Sequence, residues 1–567
     1  MTANLVKRFF PFLAWPRLER KTFSSDLLAG ITVSLLAIPQ SLAYAQLAGV
    51  PAYYGLYAAF IPSVVAVLFG SSGLLSTGPV AMTSLLTAAS VSHITAPGTA
   101  EFVSYVTLLA LLSGLFQIGF GLARAGVLLN LLSHPVLMGF INAAALIIAL
   151  SQLSALTGIV VPQTDHFLMD IGHLLAKSDS PHLMSIVFGL LGVTLLYGFK
   201  RFVPRLPGVL IMVAILTWLS YATGYAEHGG KVVGEIPTGM PSLSIPAMSW
   251  RATMSLLPAA FVIALISFME AMSSCKVIAI KTRTRWDENQ ELIGQGLAKV
   301  AAAFCHSMPV SGSFSRSALN LASHAKSGFS SLIAAGFVLL TLMYFTPLLF
   351  HLPKPALAAM IVLAVANLID FSTMRHAWQA SKDDGIAAIL TFVATLAFAP
   401  NIQNGILTGI IFSLGAFIYR RMSPRIVQLG LHADGTLRDA ERFKLPPLHE
   451  RIGALRFDAT LFFANVSFFE DAILKLERDN PKLEYIQVVA NGINHLDASA
   501  VEMLRGLVRR LRECGITLVF SGAKRQFLEV VERTGLAKEI GQANFFSSDD
   551  LALRTLLARV EAESPAA

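Results

Sequence analysis

Charge is what this sequence has least of. Among its 567 residues only 14% are Asp, Glu, Lys or Arg, while 54% are hydrophobic and the mean hydropathy is +0.63. A soluble chain carries about a quarter charged residues, so a soluble globule is excluded and most of this polypeptide faces lipid. Cysteine is almost absent. Cys275 and Cys305 fall in or beside apolar runs and Cys514 in the polar C-terminal part, with no CxxC pair and no metal-ligand spacing. Neither a disulfide framework nor a metal site is expected. Also missing are a Gly-rich lysine loop, a metal cluster and a catalytic triad, which leaves no enzyme and no cofactor to expect. A cleavable leader is not expected either: the first 21 residues are basic and aromatic, and the first apolar run is a full span without a small-residue cleavage pattern.

What is present is a long succession of apolar runs. They follow one another from about Asp26 to Arg421, and from Ser423 charge and amphipathic periods return. This divides the chain into an N-terminal segment 1–25, a transmembrane region 26–421, a stretch 422–450 that is a linker or the first part of the next domain, and a soluble domain 451–567. With about 20 apolar residues per span, fourteen elements emerge: 26–49, 53–70, 79–93, 102–121, 133–157, 184–199 and 208–224, then 253–275, 289–304, 314–324, 328–350, 355–370, 384–400 and 403–420. Two of them, 79–93 and 314–324, are half-length, and each is third in its set of seven. An odd number of spans per half forces opposite orientation, the signature of an inverted repeat. Gln40 and Glu270 hold similar places in the first element of each half.

The net charge of +8 does not call for nucleic acid, because the cations cluster in loops. Lys7, Arg8, Arg17, Arg20 and Lys21 precede the first element, Arg124 follows the fourth, and Lys200, Arg201 and Arg205 follow the sixth. Lys276, Lys281, Arg283 and Arg285 follow the eighth, Arg375 and Lys382 the twelfth, and Arg420 and Arg421 the last. Loops of opposite parity carry Asp165, Asp170, Asp179, Glu227 and Glu235. All basic clusters then lie on one side, which predicts cytoplasmic N- and C-termini.

The half-length elements are introduced by Ser76-Thr77-Gly78-Pro79-Val80-Ala81-Met82-Thr83 and by Pro309-Val310-Ser311-Gly312-Ser313-Phe314-Ser315-Arg316. Non-helical backbone is tolerated in a membrane only where protein or a water-filled cavity satisfies it, and such paired interruptions point to a midplane site. Half-helix N-termini over 80–93 and 314–324 would each present about half a positive charge, enough together to hold an anion, with Ser76, Thr77, Ser313 and Ser315 as hydroxyl donors. The plainer reading makes Pro79 and Pro309 ordinary first-turn prolines. Arg316 is an arginine inside a membrane segment, a functional residue by default; it attracts an anion, serves as counter-ion to Glu270, or does both. Glu270, in the eighth element, is either desolvated or paired, or else stands in water near Lys276. His93, His134, His306 and His324 lie near helix ends, where packing or interfacial roles are the rule.

At these residues the chain resembles the sulfate permease (SulP, solute carrier 26) family over nearly its whole length. The likeness rests on Ala37-Ile38-Pro39-Gln40-Ser41-Leu42-Ala43-Tyr44-Ala45 with Gly49-Val50-Pro51 and Tyr54-Gly55-Leu56-Tyr57. It extends through Ser133-His134-Pro135-Val136 with Gly139-Phe140, Ser315-Arg316-Ser317, and Leu461-Phe462-Phe463-Ala464-Asn465. The resemblance implies a mainly α membrane protein, a seven-plus-seven inverted repeat with two half-helices whose core domain moves against a gate domain, and a C-terminal cytoplasmic α/β STAS domain. It implies a substrate site at Gln40, Tyr44, Val80, Ala81, Met82, Phe314, Ser315 and Arg316, with Glu270 as proton-coupling residue. The expected activity is proton-coupled sulfate uptake by alternating access in a bacterial inner membrane, by a homodimer. Sodium-coupled bicarbonate, a proton-coupled C4-dicarboxylate, or an anion channel or exchanger regulated by STAS are the alternatives; Glu270 with Ser273 and Ser274 fits proton coupling better than a sodium site.

In the soluble part, 453–457, 461–463, 485–490 and 516–520 read as strands and 467–478, 498–514 and 524–534 as helices, a small α/β domain. Asp497-Ala498-Ser499 lies at a strand-to-helix turn. It resembles the STAS motif whose serine is phosphorylated in bacterial anti-sigma antagonists, which would make Ser499 regulatory and a STAS-binding cytosolic protein its partner; as chemistry it reads equally as a helix cap.

Overall fold

The chain forms two compact units, Met1–Ser413 and Leu414–Ala567. The computed structural model describes residues 10–15, 19–126, 133–159, 167–176, 181–203, 207–246, 248–366, 368–399 and 401–562. Lys7, Arg8, Arg17, Asp165, Asp179 and Arg205 lie outside the described residues.

In the first unit the apolar runs become helices in the expected order: α1 (Arg20–Leu47), α2 (Tyr53–Phe69), α3 (Ala81–Val91), α4 (Ala100–Leu122), α5 (His134–Ser151), α6 (Leu183–Phe202) and α7 (Gly208–Ala222). The second set is α8 (Trp250–Thr282), α9 (Glu288–Phe304), α10 (Phe314–Ala322), α11 (Phe329–Leu340), α12 (Lys354–Ala366), α13 (Lys382–Ala397) and α14 (Ile402–Met422), the last only beginning in this unit. A π-helical turn, Thr341–Phe345, and Thr346–Leu349 prolong α11. Hydropathy did not foresee the short helices Phe167–Ala176 and Phe371–Ala380, because ten residues are too few to span. Eight described segments are long and apolar enough to cross a bilayer. Outward-facing Leu183, Leu190, Phe202, Trp218 and Ile411 remain exposed on them and on α7, as lipid contact requires.

Small residues decide which helices meet. A Cβ on Gly114 of α4 would stand 2.7 Å from the carbonyl oxygen of Gly296 on α9, and one on Gly294 would stand 2.6 Å from Cα of Gly70. The backbones of α9, α4 and the end of α2 therefore touch, the close approach that glycine allows in membranes. Gly139 of α5 does the same against Ala388 of α13, 2.2 Å from its carbonyl oxygen. The outcome is two helix groups, α1–α4 with α8–α11 and α5–α7 with α12–α14, joined chiefly where α1 meets α7 and α12. Asp26 is fully buried at the start of α1 and accepts hydrogen bonds from Lys326 N (2.6 Å), Ser327 N (3.2 Å) and Ser327 Oγ (2.5 Å), tying α1 to the approach of α11.

The named strands form two sheets. A two-residue pair, β1 (Thr77–Gly78) with β2 (Ser311–Gly312), lies in the first unit. The second unit holds a six-stranded sheet of β3 (Ile426–Leu431), β4 (Leu437–Asp439), β5 (Ile452–Phe457), β6 (Tyr485–Val489), β7 (Thr517–Ser521) and β8 (Phe545–Phe546), in the order β4-β3-β5-β6-β7-β8. Strands β5 to β8 are parallel and β3 is antiparallel to β5. Helices α15 (Val466–Asp479), α16 (Ala498–Glu513), α17 (Arg525–Arg533) and α18 (Asp549–Ala562) connect or close the sheet, over a core that includes Phe457, Phe469, Leu504, Phe520 and Phe527. Thus β3 and β4 lie within 422–450 and share the sheet. The strand expected at 461–463 is replaced by a single bridge from Leu461 to Leu496. Asn465 is the cause: its side chain accepts from Phe462 N (2.9 Å) and donates to Thr460 O (2.8 Å), folding the segment into a turn.

Candidate anion site

The two interruptions cross. Thr77 is paired with Gly312 and Gly78 with Ser311, antiparallel, and Ser313 N donates to Ser76 O at 2.8 Å. Such a ladder satisfies backbone groups that would otherwise be orphaned between half-helices. Side chains satisfy more of them. Ser63 Oγ donates to Thr77 O (2.7 Å), Ser311 Oγ to Ser267 O (2.7 Å), and Ser76 N to Ser317 Oγ (2.9 Å). Half-helices α3 and α10 begin three and two residues after the ladder, so their positive ends both lie at the crossing. Neither proline takes a first-turn place. Pro79 precedes the extended N-cap Val80, and Pro309 precedes β2, so the plainer reading of these residues is set aside.

Arg316 is 1% exposed. Its Nη2 donates to Pro79 O at 3.0 Å, and its Nε has no partner. A Cβ on Gly78 would stand 2.9 Å from Nη2, so glycine leaves the space that the guanidinium fills. Glu270 is held in α8, half-buried, with its Oε2 buried and unpartnered. Among the described residues Glu270 and Arg316 form no ion pair, so the guanidinium is not spent as a counter-ion at contact distance.

The remaining expected residues divide into three. Gln40 and Tyr44 wall a cavity of about 130 Å³ where α1 meets the other helix group, opposite Leu196, Val209 and Met360. Gln40 Oε1 is buried there without a partner. Val80, Ala81 and Met82 are buried at the start of α3, while Phe314 and Ser315 lie exposed on the first turn of α10. In the second unit the helix cap is Asp497, not Ser499: Asp497 accepts from Ala500 N and Phe463 N, each at 2.8 Å, and Ser499 is exposed one residue inside α16.

Three buried polar residues were not anticipated. Glu291, Gln295 and Lys299 recur every four residues along one face of α9, and none is more than 1% exposed. Glu291 accepts from Ser72 N (3.0 Å), Ser71 Oγ (3.2 Å) and Gln295 Nε2 (3.0 Å). Gln295 also donates to Thr77 Oγ1 at 2.8 Å, behind the crossing. Lys299 Nζ donates to Gln117 Oε1 (2.8 Å), whose amide donates on to Ala264 O (2.8 Å) and Ser267 Oγ (3.0 Å). The signal was available in the sequence as a lone lysine in Gly296-Leu297-Ala298-Lys299-Val300-Ala301, but averaging over a span hides one charge among small apolar neighbours.

The sulfate permease family matches residues 23–391 and the STAS domain residues 446–552. Among similar proteins, "Probable sulfate transporter 4.2" of Arabidopsis thaliana is 33% identical over 563 residues, covering 95% of this chain and 82% of that protein. "Probable sulfate transporter MT1781" of Mycobacterium tuberculosis is 30% identical over 533 residues, 93% of this chain and 94% of its own. In structure, the murine solute carrier 26 member A9 anion transporter, inward-facing, aligns with a TM-score of 0.91 at 21% identity over 98% of this chain and 95% of that one. The transmembrane domain of the cyanobacterial bicarbonate transporter BicA aligns at 0.58 and 22% identity, covering 70% of this chain and 99% of that domain.

Proposed function

The chain belongs to the sulfate permease family, whose members are membrane anion transporters and not enzymes, and from that membership we propose that it takes up sulfate together with a proton by alternating access. The observation that carries this reading is Arg316, buried at the crossing of two half-helix N-termini and held there by a backbone carbonyl rather than a carboxylate. Two dipole ends and a guanidinium hydrogen-bonded to no carboxylate attract an oxyanion. The names of the relatives favour sulfate. In this reading the anion is received by Gln40, Tyr44, Val80, Ala81, Met82, Phe314, Ser315 and Arg316. The cavity beside Gln40 and Tyr44 is where α1–α4 and α8–α11 would move as a core against α5–α7 and α12–α14.

Glu270 is the proposed proton carrier. An ionised carboxylate in the field of Arg316 opposes an arriving anion, and protonation removes that opposition, so proton and anion raise each other's affinity by one factor. Following the family resemblance we place the protein in a bacterial inner membrane as a homodimer, and we read its termini as cytoplasmic from Arg20, Lys21, Arg124, Lys200, Arg201, Arg420 and Arg421 at the ends of the spans. Uptake into proteoliposomes from a panel of sulfate, bicarbonate, C4-dicarboxylates and chloride, with and without an inward proton or sodium gradient, tests the reading. Sulfate accumulation driven by the proton gradient is expected. Glu270→Gln should keep sulfate exchange and lose acceleration by the gradient; a variant that still concentrates sulfate from low outside pH would move the proton elsewhere.

Ser499 is the proposed regulatory residue of the STAS domain, read by a cytosolic partner. Its exposed place inside the first turn of α16 suits a phosphate, which the helix N-terminus stabilises. Ser499→Asp should leave the unfolding of the isolated domain unchanged and alter transport in the whole protein. Equal kinetics for Ser499→Ala, Ser499→Asp and the unchanged chain would remove the regulatory role.

A further inference from the structure

Three segments meet at His182, the N-cap of α6: the helical turn Leu153–Thr157, the start of α6 itself, and the loop that follows α7. The main chain of His182 donates to Thr157 O at 3.0 Å, and a Cβ on Gly158 would stand 2.7 Å from the Cβ of His182. Its ring Nε2 lies 3.0 Å from His228 O, in the loop after α7. Its Nδ1 lies 2.8 Å from Ser185 Oγ and 3.2 Å from Ser185 N. Ser185 Oγ is in turn 2.7 Å from the hydroxyl of Tyr225, which is fully buried and packs on Phe188 of α6 with ring centres 4.7 Å apart. Among the described residues, 153–159 and 183–189 bring no charged group to this ring. The loop after α7 brings Tyr225 and the exposed Glu227, His228 and Lys231. Of these, Glu227 folds back over Gly224, and the ring of His228 turns its Nδ1 to Gly224 O at 2.9 Å.

A carbonyl oxygen only accepts, so Nε2 carries the hydrogen that goes to His228 O. In the neutral ring Nδ1 then holds a lone pair. It takes the Ser185 hydroxyl and the Ser185 N–H, which it shares with His182 O, and Tyr225 donates to Ser185 Oγ. Every hydrogen in the row has an acceptor. A second proton on the ring reverses the row. Nδ1 must donate to Ser185 Oγ, the Ser185 hydroxyl turns to Tyr225, and the hydrogen of the buried Tyr225 hydroxyl loses its acceptor. Ser185 N keeps only His182 O, and the new charge stands against the positive end of α6. We propose that His182 is an acid-released latch on the α5–α7 group: neutral, it ties the start of α6 to the loop after α7; protonated, it lets both go. Leu196 of α6 walls the cavity opposite Gln40 and Tyr44, so the latch steadies a helix that the core would move against. The proposal goes beyond the functional reading and takes from it only the side. Lys200 and Arg201 close the other end of α6, so His182 faces away from the cytoplasm.

Imidazole is the side chain that changes charge between about pH 8 and about pH 5, so the latch is read across that range on the whole reconstituted protein. Hydrogen–deuterium exchange over 183–188 and 224–230 is corrected for the ordinary pH dependence of exchange. Protection should fall by about tenfold from the alkaline to the acid end, the scale set by one orphaned buried hydroxyl. His182→Asn, which caps helices and does not titrate, should hold protection level throughout. His228→Gln should keep the fall, since the Nδ1 of His228 donates to Gly224 O whether or not its ring is charged. Counterflow of labelled sulfate at equal pH on both sides adds the functional arm. The unchanged chain and His182→Asn should match at the alkaline end, and at the acid end the unchanged chain should be several-fold slower; Glu270 is common to both and cancels in the ratio. Level protection in the unchanged protein overturns the latch without any variant having to fold. A fall that persists in His182→Asn, or one lost in His228→Gln, overturns it as well, and equal counterflow at the acid end removes its hold on transport. Exchange needs no transport, so failure of sulfate uptake in the unchanged chain sinks the functional reading separately.

Discussion

Set α3 and α10 side by side, counting from the first residue of each. Third in line stand Thr83 and Arg316, fourth Ser84 and Ser317, seventh Thr87 and Asn320. In α3 the two threonines turn inward on their own helix: Thr83 Oγ1 donates to Val80 O (3.2 Å) and Thr87 Oγ1 to Thr83 O (2.7 Å), while Ser84 Oγ has no partner. In α10 every one of these positions reaches across to the other break. Arg316 donates to Pro79 O (3.0 Å), Ser317 accepts from Ser76 N (2.9 Å) and Asn320 donates to Leu74 O (3.1 Å). The two breaks hold the same place in their halves, but their chemistry differs. One half contributes bare main chain and glycine, the other the side chains that hold it, and the positive charge falls on one side of the ladder. A repeat relates two frames; it does not require the site between them to be shared equally.

The harshest way to break this asymmetry is to remove its charge. Arg316→Ala should cut sulfate affinity or transport by at least an order of magnitude, about 1.4 kcal/mol or more, with expression near that of the unchanged chain. Truncation also leaves Pro79 O without its donor, so stability is to be measured alongside uptake. Uptake within twofold would show that the dipole ends suffice without the guanidinium. The complementary change acts from the bare side. Gly78→Ala places a methyl 2.9 Å from Nη2 and 3.4 Å from Cζ and Nη1 of Arg316, so the guanidinium must shift. A several-fold loss of sulfate affinity is expected, smaller than for Arg316→Ala because the charge survives with its position altered. If Gly78→Ala lowers affinity in an Arg316→Ala background as much as in the unchanged chain, the two residues do not act on one another.

Much of this frame is written in the sequence. Fourteen apolar elements and the placing of the half-length pair at position three of each seven are read directly, because a lipid-facing helix must be apolar over its whole length. The boundaries shift by a few residues where capping decides them, as at Val80. Arg316 and Glu270 stand out because charge in an apolar run is rare. The direct pairing of Thr77–Gly78 with Ser311–Gly312 is not readable, since a two-residue ladder has no period to detect. Lys299, Gln295 and Glu291 stayed hidden because α9 is amphipathic toward protein instead of water. Its polar face mimics that of a surface helix, and only the glycine contacts with α4 and α2 show that the face is buried.

The smallest expected effect is the sharpest test of the comparison, because two serines at the same helix position should answer differently to the same deletion. Ser84 is fully buried with an unpartnered hydroxyl, whereas Ser317, 1% exposed, accepts the hydrogen of Ser76 N. Ser317→Ala leaves a buried N–H without an acceptor, and that orphan costs about 1–3 kcal/mol. Ser84→Ala removes a hydroxyl that already lacks a partner, so its effect should be near zero or slightly stabilising, as when a buried polar atom gives way to an apolar one. Thermal unfolding of the purified protein in detergent, followed by intrinsic fluorescence, measures both on one scale. Ser317→Ala should lower the midpoint by a few degrees and loosen sulfate affinity modestly, because the ladder carries Gly78 and Pro79 toward Arg316. Ser84→Ala should leave both where they were. Equal losses from the two substitutions would mean that each half-helix anchors the crossing alike, and the division into a holding half and a held half would have to be given up.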